Sequence, residues 1–216
     1  AITCTSSATA NVIINPLPSG STISGTTTVC QGATAPLVTF TANVGTGPYT
    51  FYYHINGGAP KSLSTTSLGG PNPISKTISV PTGTAGVYTY VLDSIADIYC
   101  GQVSAYVATD TAVVTVNPNS TISLTSAVGT DAQTVCISNA ITDITYAIGG
   151  GGTSASITAG GLPAGVTGTF ALGVFTISGT ATASGVFPYT VTTSGSGCTE
   201  ASLSGTITVN ANSTIS

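Results

Sequence analysis

Apolar and polar residues alternate over short stretches along the whole chain, with the period of two that marks half-buried strands. Leu37–Val44 alternates in this way, and in Tyr49–Ile55 the same rhythm sets Tyr49, Phe51 and Tyr53 on one face. Further strands are predicted at Thr22–Gly25, Ser75–Val80, Val87–Asp93 and Thr111–Val116. Asn56-Gly57-Gly58 is a tight-turn signal, whereas Ser62–Pro73, polar and rich in Gly and Pro, reads as a loop. The second half predicts strands at Ile141–Ile148, Ser154–Thr158, Thr167–Leu172, Val174–Ser178, Val186–Thr193 and Leu203–Val209. About seven short strands per 100 residues is the pattern of an immunoglobulin-like sandwich, so an all-β fold is expected.

The chain also repeats itself. Thr115-Val116-Asn117-Pro118-Asn119-Ser120-Thr121-Ile122-Ser123 returns as Thr208-Val209-Asn210-Ala211-Asn212-Ser213-Thr214-Ile215-Ser216. A looser copy, Ile13-Ile14-Asn15-Pro16, stands near the start. In each copy a β-branched run stops at Asn and another begins a few residues later, which reads as the joint between two modules. The expected organisation is the end of a preceding module at 1–15, modules at 16–117 and 118–210, and the start of a further module at 211–216. Pro fixes φ at 118, so the joint is expected to be a short, semi-rigid hinge.

Composition narrows the function more than it names it. Lys61 and Lys76 are the only basic residues against six acidic ones, and the formal net charge is −4. Nothing here could replace the counterions of a nucleic acid or be drawn to an anionic membrane surface. No run reaches the roughly 18 apolar residues of a membrane span, so no membrane insertion of this segment is expected. The five cysteines carry more. Cys4, Cys100 and Cys198 recur at nearly equal intervals ahead of each closing Asn, and Cys30 and Cys136 share a Thr-Val-Cys triplet. The economical pairing is Cys30–Cys100 and Cys136–Cys198, one disulfide per module, with the partner of Cys4 outside this segment. Disulfides imply an oxidising, extracytoplasmic setting.

Gly47-Pro48-Tyr49-Thr50-Phe51 through Asn56-Gly57-Gly58, then Val80-Pro81 and Ala85-Gly86-Val87-Tyr88-Thr89-Tyr90, resemble the PKD-like repeats of giant Bacteroidetes cell-surface adhesins. In the second module, the stretches from Gly161 to Val166 and from Gly173 to Val191 resemble the immunoglobulin-like repeats that alternate with them. Such repeats occur in gliding-motility adhesins of the SprB type, exported by the type 9 secretion system. The resemblance covers essentially the whole chain. It implies a stalk or filament on the cell surface and no catalytic residues.

Candidate chemistry is sparse. His54, the single histidine, has no GxSxG phrase or free nucleophile to serve, and reads as a strand residue. The acids Asp93, Asp97, Asp110, Asp131, Asp143 and Glu200 are scattered without a calcium-loop spacing; Asp93 and Asp97 would be the best pair for one. No metal and no cofactor is expected. Tyr49, Phe51 and Tyr53 belong to a core, which leaves Tyr52 as the aromatic face for a glycan contact. Gly86-Val87-Tyr88 can form a tyrosine corner, a bond that Phe187 at the matching place in the second module cannot make. Asp93-Ser94-Ile95 and Asp110-Thr111-Ala112 look like O-glycan acceptors of secreted Bacteroidetes proteins, with Ser94 and Thr111 as the modified residues. The plainer reading of each is an Asp turn at a strand end.

Taken together these features predict tandem disulfide-bonded sandwiches forming the shaft of an extracellular adhesin, with neighbouring modules as partners and surface polysaccharide or a substratum beyond them. A carbohydrate-binding module pair of a secreted enzyme and a subunit of a self-assembling surface fibre are the alternatives. In the first reading, a bridge inside each module limits how far it extends under tension.

Overall fold

The computed structural model describes residues 9–66, 73–100 and 110–213. Every regular element among them is a β-strand. The chain divides into two compact units, one of Ala1–Thr27, Ala35–Pro81 and Val87–Val114, the other of Thr28–Thr34, Thr82–Gly86 and Thr115–Ser216.

The first half carries β1 (Thr22–Ser24), β2 (Thr27–Cys30), β3 (Leu37–Ala42), β4 (Thr50–Ile55), β5 (Lys61–Ser64), β6 (Ile74–Ser79), β7 (Gly86–Ala96) and β8 (Thr111–Asn117). They form a three-stranded sheet, β1-β3-β6, and a five-stranded sheet, β2-β8-β7-β4-β5. Alternation does what period two requires: Val38, Phe40 and Ala42 of β3 are buried, as are Phe51 and Tyr53 of β4 and Ala112, Val114 and Val116 of β8. The Phe40 ring, from one sheet, lies 5.6 Å from that of Phe51 and 4.9 Å from that of Tyr53, on the other. Tilted aromatic contacts at these distances contribute beyond their buried area.

The hairpin signal at Asn56-Gly57 is realised. Asn56 and Gly57 both take positive φ (51° and 68°), and the Gly58 amide donates to the Ile55 carbonyl at 2.9 Å. The Asn56 side chain then ties the turn to the start of β7, donating to Val87 O and accepting from the Thr89 amide. Because this turn folds the chain straight back, Lys61–Ser64 pairs with β4, setting Ser64 opposite Thr50 and Ser62 opposite Tyr52. The loop expected from Ser62 onward is therefore an edge strand at its start. Its polar residues face water while β4 satisfies its backbone. Residues 67–72 lie outside the described residues.

The second half carries β9 (Ser120–Leu124), β10 (Ala132–Cys136), β11 (Ile144–Gly150), β12 (Ser154–Gly160), β13 (Val166–Ala171), β14 (Val174–Gly179), β15 (Gly185–Ser194) and β16 (Ser202–Asn210). One sheet has the order β13-β14-β11-β9, the other β10-β16-β15-β12. With β9, β11, β12, β13, β14, β15 and β16 as the successive strands of an immunoglobulin sandwich, these are the A-B-E-D and C-F-G groupings of that fold. β10 is an extra edge strand parallel to β16.

Ile144, Tyr146, Phe175 and Ile177 from one sheet pack with Tyr189, Val191, Ile207 and Val209 from the other. At the centre the hydroxyls of Tyr146 (β11) and Tyr189 (β15) meet at 3.0 Å, so each satisfies the other's buried polar end. Burial pushes both phenols above their usual range, so both remain protonated. Gly205 on β16 makes room for this pair, since a Cβ there would run into the Tyr189 phenol oxygen and the Asp131 carbonyl. Gly205→Ala is expected to destabilise this unit by about 1–3 kcal/mol, the usual cost of overpacking. A urea titration checks it, and an unshifted midpoint would mean that Tyr189 yields freely.

Candidate functional site

Among the described residues, no group of three or more His, Cys, Asp or Glu side chains is placed to hold a metal ion. Asp93 and Asp97 do not converge. Asp93 meets His54, whose Nδ1 lies 2.8 and 3.0 Å from its two carboxylate oxygens on a partly exposed face. Asp97 accepts instead from the amides of Thr46, Tyr99 and Cys100. Tyr52 is half-buried on the outer face of β4, while Tyr49, Phe51 and Tyr53 lie in the core. An open groove of about 510 Å³ lies over Gly160, Pro188, Tyr189 and Gly205, with Asp131 as the single charged residue lining it.

The acceptor residues fare differently. Thr111 is exposed at the first position of β8. Ser94 stands opposite Tyr52 within β7, next to the β4–β7 register shift, and is only 4% exposed. The expected acceptor at Ser94 is therefore buried in the folded chain, and attachment there would have to precede folding.

The most elaborate arrangement surrounds the joint, and it begins with a corrected disulfide. The expected pairs Cys30–Cys100 and Cys136–Cys198 do not form. Cys30 is bonded to Cys198, across a sequence separation of 168, with the two Cα atoms 5.5 Å apart. Cys100 and Cys136 are free, and Cys4 lies outside the described residues. Strand direction explains the change. Cys136 pairs in register with Asn210, at the far end of β16 from Cys198, which precedes Ser202. The strand between spans roughly 26 Å at about 3.3 Å per residue, and a disulfide tolerates Cα separations of only about 7 Å. Cys30 ends β2 beside the last residue of β8, where the Gln31 amide donates to Asn117 O at 2.8 Å. Cys100 instead follows β7, in a turn held by Asp97. Its thiol is pushed up by burial and by the Asp97 carboxylate.

Asn117–Ser120 is held by several contacts at once. All of the groups involved belong to the second compact unit. The Asn119 side chain donates to Gln31 O and accepts from the Thr199 amide, at 3.2 and 3.3 Å. The Ser120 amide donates to Thr199 O and the Gly151 amide to Asn119 O. The glycine run Gly149–Gly152 finds its reason here, since a Cβ on Gly150 or Gly151 would strike the carbonyls of Asn119 or Pro118.

Glu200 anchors the loop that carries Cys198. One carboxylate oxygen accepts from the hydroxyls of Ser120 and Thr193 at 2.6 Å each, and the other from the amide and hydroxyl of Ser196. The Ser196 hydroxyl in turn accepts from the Cys198 amide at 3.0 Å. The Ser120 and Thr193 hydroxyls, with the Ser196 contacts, hold the Glu200 carboxyl down to about 2. Its contribution to stability is therefore present at neutral pH and is lost as pH falls from about 4.5 through about 2. Glu200→Gln is expected to lower the urea midpoint at pH 7, and the gap to the native chain should close between those values. A gap unchanged at pH 2 would show that charge is not what holds the loop. Sequence reasoning counted Glu200 among scattered acids. Its one signal was a carboxylate set amid Ser, Thr and Gly two residues after a cysteine.

No protein-family model matches the chain, and no curated protein matches it in sequence. Among solved structures, it is similar to the Yersinia pseudotuberculosis adhesin InvE, with 15% identity, a TM-score of 0.36, and 88% of this chain and 60% of that one covered. It is similar also to the Escherichia coli adhesin FdeC, at 16% identity and TM-score 0.44 over 89% of this chain and 66% of that one. The extracellular cadherin domains 1–5 of protocadherin gamma B2 give 12% identity and TM-score 0.49 over 92% of this chain and 40% of that one.

Proposed function

We propose that this chain is a non-enzymatic structural segment of the shaft of an extracellular cell-surface adhesin. The observation that carries this reading is the fastening of Asn117–Ser120, where a disulfide, an anchored carboxylate and a glycine cradle converge on the stretch that the sequence repeats. A protein that only needed two sandwiches side by side could leave such a joint to water. One that passes tension along a series of modules gains from fixing it. The disulfide also supports an oxidising, extracellular location. The PKD-like phrases support the narrower assignment to surface attachment and gliding motility by an adhesin exported through type 9 secretion. Neighbouring modules are the direct partners, and polysaccharide or substratum is met elsewhere on the protein. Thr111 is the better placed of the two proposed O-glycan acceptors, and mass spectrometry of the secreted protein tests it.

Exchange of residues 16–210 for an unrelated sandwich pair of equal length, in cells displaying the full protein, tests the shaft role. Attachment and movement are expected to persist. Their loss, together with glycan binding by the isolated segment that disappears in Tyr52→Ala, would replace the shaft by a carbohydrate-binding module. Concentration-dependent polymerisation of the segment would replace it by a fibre subunit.

A further inference from the structure

The Cys30–Cys198 bridge is built from two positions that the chain repeats, and each recurs in the other repeat as a free thiol. Cys30 ends β2 and Cys136 ends β10, in the same Thr-Val-Cys triplet. The turns that follow match bond for bond. The next amide donates to the Asn that closes the last strand, Gln31 to Asn117 O at 2.8 Å and Ile137 to Asn210 O at 2.9 Å. The amide after it donates across the turn, Gly32 to Thr82 O and Ser138 to Ala181 O, at 2.9 and 2.8 Å. Ala33 and Asn139 then donate back to the carbonyls of Cys30 and Cys136. Gly32 and Ser138 both take positive φ, 79° and 66°, although Ser accepts that conformation far less readily than Gly. Cys136 is exposed, and beside it Asn210-Ala211-Asn212-Ser213 repeats the joint that accompanies Cys30, with Asn212 and Ser213 exposed. On the other side, Cys100 lies between β7 and β8, the place that Cys198 occupies between β15 and β16.

We infer that Cys136 is one half of a second strap of the same design, whose other half is the cysteine ahead of the last strand in a module following Asn210. Cys100 is correspondingly the receiving half of a strap from the module before. The inference rests on the tandem-array reading proposed above and supplies what that reading left open, the covalent partner of each free thiol. The strand-end cysteine of one module bonds to the last-loop cysteine of the next, and no module closes a bridge within itself. Forming each strap joins two thiols as one disulfide and releases two protons and two electrons. A small-molecule or protein disulfide of the oxidising compartment takes them up and leaves as two thiols.

A chain in which Pro118–Asn210 is duplicated directly after Asn210 tests the rule, refolded in a glutathione redox buffer and digested without reduction. The expected products are the Cys30–Cys198 peptide and a peptide joining Cys136 of the first copy to Cys198 of the second. Cys136 of the first copy should resist alkylation until reductant is added. A second chain, carrying Cys198→Ser in the added copy only, should restore alkylation of that Cys136 and keep the Cys30 bridge, which separates strap loss from misfolding. Free Cys136 in the parent duplication with the Cys30 bridge intact would overturn the inference. So would a bridge within either copy. Disulfide mapping is blind to attachment, so failure of the shaft reading in cells leaves this result unchanged.

Discussion

Pulled from its two ends, the oxidised chain should release far less length than the reduced one. The Cys30–Cys198 bridge closes a loop of sequence separation 168. At about 3.4 Å per extended residue, that loop withholds roughly 570 Å of contour until the bond opens. Force applied outside the bridge passes through it, so only the segments before Cys30 and after Cys198 lengthen. Single-molecule pulling in the presence of reductant should add that contour, and Cys30→Ser should add it without reductant. In solution the same loss should lower stability by up to about 5 kcal/mol in the chain-entropy model, read as a fall in the unfolding midpoint. Equal extensions before and after reduction would show that tension does not run through the bridge. The pairing expected from sequence, one bridge inside each module, would instead have released a short length per module.

The second large effect belongs to the first unit. Phe40 is fully buried, with the rings of Phe51 and Tyr53 across the sheet interface. Phe40→Ala removes the ring that both of them touch and leaves a cavity that β-strands fixed by their ladders cannot collapse to fill. A loss of about 3–5 kcal/mol is expected, a large share of the 5–15 kcal/mol that typically holds a domain together. Urea unfolding followed by tyrosine fluorescence would read it. A loss below about 1 kcal/mol would mean that the core repacks, and Phe40→Leu, which keeps most of the volume, should recover part of the difference.

Much of the fold was legible because alternation is a local property. Phe51 and Tyr53 announce an inward face by spacing alone, and Asn56-Gly57 announces the turn after it. The strands that escaped notice are those with no apolar face to announce. β2 and β10 are short edge strands whose backbones are satisfied by β8 and β16, and β5 is polar and held by the hairpin that precedes it. The disulfide was half legible. Repetition shows which cysteines are equivalent, but pairing depends on which end of a sheet each one reaches, and that is fixed by strand direction rather than spacing. The joint was legible as a repeat, but the contacts that hold it were not, because they come from Gln31, Gly151, Thr199 and Glu200, all remote from it in sequence.

In the tandem array proposed above, the bridge also changes what counts as one piece. A chain ended at Asn117 would leave Cys30 and Cys100 both as thiols, and neither repeat taken singly contains a closed covalent ring. The smallest piece that does is an overlapping pair. Loss of one repeat by recombination within the duplicated Thr-Val-Asn stretch would therefore unmake a bond in a neighbour that is itself intact, unless the repeat brought up in its place carries the same loop cysteine. Length in such a chain can vary only in steps that keep each strand-end cysteine facing a successor.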